Sequence, residues 1–334
     1  MLRPTGILVA INARERQEFL PEPLWSELLV LAGRCVWADT NQLGEGQFER
    51  LLADIDPEIL VSCWSTQSLP ACLPPRLRYV CHLGGSVRKL VNRSQLLDGL
   101  RVTNWGGSVA RYVAECALLH TLACLRRLAD WTLKMHSHGA WGDAATLTAS
   151  LFERRVGLHG FGFVAREFTG ILRPFNCHVS VCAPDVDACA EARYGVKCSA
   201  SLEALFAEND IIVELAPLLP ATVGTVTEQH LRLIRPGGVF VNVGRGAVVD
   251  EKALLRVAME GHIIIGLDVY HTEPLPPDYP LRGLPNVVLT PHIGGPTTDR
   301  RRDVGELALE NIRAYTRNRP LSGSVTTSVY DSST

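Results

Sequence analysis

Three polar side chains of the sequence follow apolar runs that are typical of buried β-strands. Arg245 comes after Gly238–Val243, Glu273 after Ile263–Asp268, and His292 after Val287–Thr290. Glycine or proline flanks each of the three, and these residues fix a side chain in a loop. Ligands of open α/β sheets bind where the strands end, so we predict that this trio lies at a ligand-binding edge.

The three side chain types suit one reaction in particular. Hydride exchange between a nicotinamide and a 2-oxo or 2-hydroxy acid needs a group that gives or takes a proton at the oxygen, and histidine does this near neutral pH. A carboxylate beside the histidine stabilises its protonated form. An arginine binds the substrate carboxylate through two hydrogen bonds. His292, Glu273 and Arg245 are the candidates for these roles.

A glycine-rich turn earlier in the chain predicts a nucleotide site. Val156–Leu158 reads as a buried strand, Gly160-Phe161-Gly162 follows it, and a helical pattern ends near Pro174 before a second strand, Val179–Cys182. In such a βαβ unit the first glycine permits a tight turn, and the second lets the backbone approach a pyrophosphate at the helix N-terminus. The unit favours dinucleotide binding over a turn without a ligand.

The elements that must position these residues alternate between strands and helices along the whole chain. This order predicts an α/β fold with two doubly wound parallel-sheet domains. We assign residues 1–103 with 291–334 to a substrate domain and residues 104–290 to a nucleotide-binding domain. The pattern over Ser108–Trp131 predicts one long helix between them, and the Ser/Thr-rich tail Ser322–Thr334 is expected to be frayed.

Composition narrows the classes of function. The net charge is −2, with both signs spread along the chain, which argues against nucleic acid and anionic membranes as partners. The ten cysteines include no C-x-x-C pair, so we expect reduced thiols, a cytoplasmic location and no metal site. No apolar run is long enough to predict a membrane span.

The motifs around the trio resemble those of the D-isomer-specific 2-hydroxyacid dehydrogenases, a family that includes phosphoglycerate, glyoxylate/hydroxypyruvate and D-lactate dehydrogenases. The resemblance covers nearly the whole chain. It is most specific in the stretches at 241–251, 266–275 and 289–295, which occur in the family's order and at similar spacing.

The resemblance implies a Rossmann cofactor domain inserted into a flavodoxin-like substrate domain, a homodimer, and Arg245, Glu273 and His292 as catalytic residues. It implies an NAD cofactor, with NADP possible. Together with the turn glycines, the cofactor-binding residues that we expect are Gly160, Gly162, Phe163, Val164, Asp185, Pro217, Val243, Gly244, Asp268 and Gly294. The substrate, a small 2-oxo or 2-hydroxy acid, is expected to contact Gly84, Gly85, Ser86 and Arg245.

The sequence departs from the family at places that bear on cofactor and substrate choice. Ala183 stands where the family usually has an acidic residue for the adenosine ribose, and Asp185 is the expected substitute. No cation lies in this segment to hold a 2′-phosphate, which favours NAD over NADP. Arg88, Lys89 and Arg111 occupy places where the family usually has Asp or Asn, and they predict a more basic substrate mouth.

One alternative belongs to another class of protein. A branch of the same family acts as a transcriptional corepressor that senses NAD(H), and such a binding protein can retain the catalytic trio. Turnover of 2-oxo acids distinguishes the enzyme from the sensor.

Overall fold

The structure is a computed structural model that describes residues 6–142, 147–184 and 186–332. It divides into two compact units, Met1–Val109 with Pro296–Thr334, and Ala110–Gly295. Each unit has one parallel sheet with helices on its faces. Within the described residues, no helix combines the length and the apolar composition that crossing a bilayer requires.

The strands and helices follow one another in a regular alternation. The strands are β1 Ile7–Ala10, β2 Cys35–Ala38, β3 Ile59–Ser62, β4 Tyr79–His82, β5 Arg101–Thr103, β6 Arg155–His159, β7 His178–Cys182, β8 Val196–Cys198, β9 Ile211–Glu214, β10 Val239–Asn242, β11 Ile264–Leu267 and β12 Val287–Leu289. The helices are α1 Ala13–Phe19, α2 Leu24–Leu31, α3 Gln47–Ile55, α4 Arg93–Leu97, α5 Ala110–Leu125, α6 Leu128–His138, α7 Phe163–Leu172, α8 Ala188–Tyr194, α9 Leu202–Glu208, α10 Glu228–Leu233, α11 Glu251–Glu260, α12 Arg301–Thr316 and α13 Thr327–Ser332.

The sheet of the first unit has the order β2-β1-β3-β4-β5, with all pairs parallel. This is the flavodoxin-like order. Its central strands, such as β1 and β3, are buried along their whole length, because helices cover both faces of a parallel sheet. Helix α12 belongs to this unit and packs on α1 and α2.

The sheet of the second unit has the order β12-β11-β10-β9-β6-β7-β8, again all parallel. The chain winds outward from β6 to β8, then returns to place β9 on the other side of β6. Strands β6 and β9 therefore flank the point where the winding reverses, which is where doubly wound folds bind ligands. The predicted fold class, a Rossmann domain inserted into a flavodoxin-like domain, is confirmed.

The prediction of a single long helix over Ser108–Trp131 is wrong. The structure ends α5 at Leu125 and begins α6 at Leu128, with Arg127 between them at φ 56°. A left-handed residue cannot continue a right-handed helix, so the apolar pattern runs through two helices. Periodicity alone does not reveal a single residue of this kind.

The prediction of a frayed tail is also wrong for residues 322–332, the part of the tail that the structure describes. Ser324 bridges to Thr103, Val325 is buried, and α13 follows. Arg88 donates to the main-chain oxygens of Tyr330 and Asp331 at 3.0–3.2 Å. Cationic side chains stabilise the last carbonyls of a helix, so the Arg88 guanidinium anchors the C-terminal segment.

Candidate active site

The three residues that the sequence proposed lie on loops after adjacent strands. Arg245 follows β10, Glu273 follows β11 and His292 follows β12, and these strands are neighbours at one end of the second sheet. All strands of this sheet are parallel, so their carboxyl ends share one edge. The trio therefore occupies one edge of one unit.

His292 and Glu273 form a direct pair. His292 Nδ1 lies 2.6 Å from Glu273 Oε2, and the two side chains are 48% and 36% exposed. The Tyr270 main-chain N–H donates to Glu273 Oε1 at 3.0 Å and holds the carboxylate in place. With Nδ1 occupied by a carboxylate, Nε2 is the ring nitrogen that can meet a substrate.

The main chain around His292 has an unusual conformation that a buried carboxylate supports. His292 has φ 54°, a left-handed value that L-residues rarely adopt. The next two N–H groups, of Ile293 and Gly294, both donate to Asp268 at 2.8 Å. Asp268 is almost fully buried, so these bonds are sheltered from water and fix the loop.

Arg245 is fixed by an asparagine at the end of its strand. Asn242 Nδ2 donates to the Arg245 main-chain oxygen at 3.0 Å, and Asn242 Oδ1 accepts from the Gly244 N–H at 3.0 Å. Burial lowers the pKa of Arg245, and the charge of Glu273 raises it by less. An arginine remains charged in spite of such a shift, so a half-buried cation lies near Glu273.

Gly246 must be glycine for Arg245 to take this position. A Cβ at Gly246 would lie 2.1 Å from the carbonyl carbon of Tyr270, which is inside van der Waals contact. The loops after β10 and β11 therefore touch through their backbones. This contact explains why a glycine directly follows the arginine.

The glycine turn after β6 fits a dinucleotide pyrophosphate. Gly160 has φ 89°, and a Cβ there would meet the backbone of Ala216 at 2.8 Å. Gly162 is the N-cap of α7, and a Cβ there would meet nothing within 4 Å. The first glycine therefore serves the close approach of two loops, and the second leaves open space at a helix N-terminus, where phosphates bind.

The other expected cofactor-binding residues also lie at this edge. Phe163 and Val164 open α7, with Phe163 67% exposed, and Pro217 is exposed on the loop after β9. Val243, Gly244, Asp268 and Gly294 belong to the loops after β10, β11 and β12. Asp185 lies outside the described residues. The residues present thus fit the cofactor that the turn predicts.

The predicted substrate loop, Gly84–Ser86, follows β4 in the first unit. A Cβ at Gly84 would lie 2.4 Å from His82 Nε2, and one at Gly85 would lie 2.6 Å from the Trp105 ring. Asn104 Nδ2 donates to the Gly85 oxygen at 2.6 Å. The loop is therefore tightly packed within its own unit, and its role in substrate binding stays a prediction.

Sequence reasoning missed a hydrogen-bonded chain behind the His292 loop. Thr290 Oγ1 lies 2.6 Å from Asp268 Oδ1 and 2.8 Å from His120 Nε2. Because the hydroxyl has one hydrogen and Asp268 accepts it, His120 must donate from Nε2. A polar residue at the end of an apolar strand, as at Asn242 and Thr290, was the available signal.

His120 also belongs to a buried group whose possible ligand atoms, from Cys116, His120 and Asp268, lie within 4.8 Å of one another. Burial raises the pKa of the Cys116 thiol to about 12, with smaller contributions from Asp268 and Glu115. Burial also lowers the pKa of His120. Asp268 already accepts three hydrogen bonds, so this group is better suited to packing than to holding a cation.

Comparisons with known proteins agree with this geometry. The family model described as D-isomer specific 2-hydroxyacid dehydrogenase, NAD binding domain, matches residues 118–294, more than half of the chain. A hydroxyphenylpyruvate reductase from Plectranthus scutellarioides is 34% identical over 226 residues, which are 67% of this chain and 70% of that protein. A glyoxylate reductase from Pyrococcus furiosus is 28% identical over 84% of this chain and 85% of its own.

A solved structure shares the fold. The crystal structure of a glyoxylate reductase from Paecilomyes thermophila superposes with a TM-score of 0.82 at 24% identity, covering 96% of this chain and 98% of that one. Fold, motif order and the family match agree. The chain belongs to the D-isomer specific 2-hydroxyacid dehydrogenase family and is an NAD(P)-dependent enzyme of that family.

Proposed function

We propose that this enzyme reduces a small 2-oxo acid to the D-2-hydroxy acid, with Arg245, Glu273 and His292 as its catalytic residues. The observation that carries the proposal is the 2.6 Å contact between His292 Nδ1 and Glu273 Oε2 on the loops beside Arg245. The activities named for the relatives above support a 2-oxo acid as substrate.

Each side chain has its own role in this reaction. Arg245 binds the substrate carboxylate and polarises the neighbouring carbonyl group. Glu273 stabilises the imidazolium of His292 and orients its ring, and Nε2 donates the proton to the carbonyl oxygen. The bound nicotinamide supplies the hydride. In the opposite direction, neutral His292 accepts the proton at Nε2.

The remaining assignments follow from this proposal. The second unit is the cofactor domain and the first is the substrate domain, in which the main-chain N–H groups of Gly85 and Ser86 are the proposed substrate contacts. NAD is the expected cofactor, because Cys182-Ala183-Pro184 has no cation for a 2′-phosphate. NADP stays the alternative, since Ala183 also lacks the carboxylate that binds the free ribose hydroxyls.

We also propose that the enzyme is a cytoplasmic homodimer. Helix α6 and the residues near it expose large apolar side chains, including Leu128, Leu133 and Trp141. An apolar patch of this kind is typical of an interface with another protein. Light scattering at micromolar concentration tests the dimer, and a monomer contradicts it.

Replacing His292 with alanine tests the proposal. We expect kcat for 2-oxo acid reduction to fall by about 10²–10⁴, the usual contribution of a positioned acid. The affinity for NADH, measured by fluorescence titration, should stay near the wild-type value, because the ring serves the substrate oxygen. Glu273→Gln should also lower kcat, because the ring loses the carboxylate that orients it, and the affinity for NADH should again stay near the wild-type value.

If His292 had no part in catalysis, replacing it would have as little effect as replacing a histidine elsewhere on the surface. His178 is an exposed histidine at the start of β7, at the opposite end of the sheet, and His178→Ala is the matched control. If His292→Ala keeps most of the activity, as the control should, the acid role is wrong. Tight NADH binding without turnover of any 2-oxo acid would favour the sensing protein instead.

A further inference from the structure

An acid–base pair lies at the ends of the two strands that flank the reversal of the second sheet. His159 is the last residue of β6 and Glu214 the last of β9, and the register places them side by side. His159 Nδ1 lies 2.6 Å from Glu214 Oε2. The crevice where doubly wound folds bind ligands opens above this point, so the pair forms its floor.

Glu214 connects the two loops that border this crevice. Its Oε1 accepts from the Ala216 N–H at 2.8 Å, on the loop after β9. Its Oε2 binds His159, which directly precedes Gly160 and the dinucleotide turn. The side chain of Glu214 is fully buried, whereas that of His159 keeps 12% exposure. A buried carboxylate needs hydrogen bonds or a positive charge to offset its lost hydration, and protonated His159 would supply both.

The surroundings of His159 favour the protonated form of its ring. Burial lowers the pKa of His159, but the charge and hydrogen bond of Glu214 outweigh burial, and the pKa is raised. Nδ1 is bound to Glu214, and no described residue bonds Nε2. The ring therefore retains one free N–H when it is protonated.

The other titratable groups around the pair do not oppose the protonation of His159. Cys182 on β7 is the register partner of His159, and Glu203 lies on α9, the helix that packs on this side of β6. Burial raises the pKa of Cys182, with further contributions from Cys198, Glu203 and Glu214, so the thiol stays neutral. Arg155 and Asp210 pair with each other at the opposite end of these strands.

We propose that protonated His159, held by Glu214, is a phosphate-binding group of the cofactor site, so that this enzyme binds its dinucleotide more tightly when His159 carries a proton. The inference rests on the proposed function, because it requires the dinucleotide to occupy the turn at Gly160–Gly162. The imidazolium adds a cation beside the N-terminus of α7, which has no basic residue in its first turn other than Arg166.

Two phosphate groups are possible sources of the anion. The pyrophosphate belongs to both NADH and NADPH, and the 2′-phosphate belongs to NADPH alone. His159 lies beside Cys182, one residue before Ala183, where the family's ribose-binding carboxylate is missing. The two phosphates are distinguished by comparing ADP, which has the pyrophosphate, with 2′,5′-ADP, which has the 2′-phosphate.

The test is the affinity for NADH, NADPH, ADP and 2′,5′-ADP from pH 5.5 to 9, measured by calorimetry on the wild type, His159→Gln and the control His178→Gln. In the wild type and the control, we expect Kd to rise about tenfold as the histidine loses its proton, which is the usual contribution of a charged hydrogen bond. In His159→Gln, NADH should bind weakly and with the same Kd at every pH, whereas NADPH, ADP and 2′,5′-ADP should keep only the pH dependence of their own phosphates, which titrate near about 6. Adenosine, without phosphate, should bind equally at all pH values.

A second measurement uses the unaltered enzyme. Binding of NADH, followed in buffers of different ionisation enthalpy, should take up protons near and above neutral pH. A pH profile that is the same in His159→Gln and the wild type, or binding without proton uptake, would overturn the inference. If NADH still binds and is oxidised in that case, the proposed function stands; a wild type that binds no NADH would refute both.

Discussion

At the scale of the residue, the proposed role of Arg245 calls for an arginine and not for another cation. Asn242 fixes its main chain, and the half-buried Arg245 side chain has Glu273 nearby. A lysine in this place carries one point of charge and no planar fork for a carboxylate. Arg245→Lys should therefore raise KM for the 2-oxo acid by about tenfold or more and lower kcat, while the Kd of NADH stays unchanged. Steady-state kinetics that show an unchanged KM would contradict the carboxylate-binding role.

The His159–Glu214 pair also predicts how stability depends on pH. The pKa of His159 is raised in the folded state, so the pair stabilises fully below the unfolded value of about 6.5. The contribution is lost as the pH rises through the folded value. Thermal unfolding of the wild type and His159→Gln should thus differ most in mildly acidic solution and converge at alkaline pH. A difference that is independent of pH would mean that the ring contributes only packing.

At the scale of the element, the turn between β6 and α7 separates a folding role from a binding role. Gly160→Ala places a Cβ against the Ala216 backbone at positive φ, so it should destabilise the fold. Gly162→Ala meets no atom and has negative φ, so it should keep or slightly raise the melting temperature. The added methyl still occupies space that the pyrophosphate needs. We therefore expect weaker NADH binding from Gly162→Ala at full stability, and normal binding would show that the turn holds no phosphate.

At the scale of the whole molecule, the C-terminal segment is an integral part of the first unit. Val325 is buried, its N–H donates to Val102, and Tyr330 Oη donates to the Val91 oxygen. Deleting residues 324–334 should lower the melting temperature by several degrees, because burying one valine contributes about 1.5–3 kcal/mol. Asp331→Ala, which removes only the exposed pair with Arg93, is the control and should have little effect. Equal melting temperatures for the full and shortened chains would contradict this account.

Local patterns in the sequence were enough to predict the elements and to propose the chemistry of the site. The apolar runs before Arg245, Glu273 and His292, and the glycine or proline beside each, are readable because strand burial and turn chemistry act over a few residues. The same holds for the glycine turn, because the spacing of Gly160 and Gly162 between an apolar strand and a helical pattern can be read within a few residues. The fold class followed from the alternation of these local patterns.

Contacts between distant segments were decided only by the tertiary structure. The His120–Thr290 contact joins residues 170 positions apart in the sequence, and the His159–Glu214 contact joins residues 55 apart. Both contacts depend on how the strands and helices are arranged in the fold. A polar residue at the end of an apolar strand signals that a partner is needed but does not identify it. Strand order supplies that information: β9 lies beside β6 because the winding reverses there, and this placement joins His159 to Glu214. The physical reason is that the sequence carries local preferences, whereas the free energy of a buried charge depends on neighbours that only packing brings together.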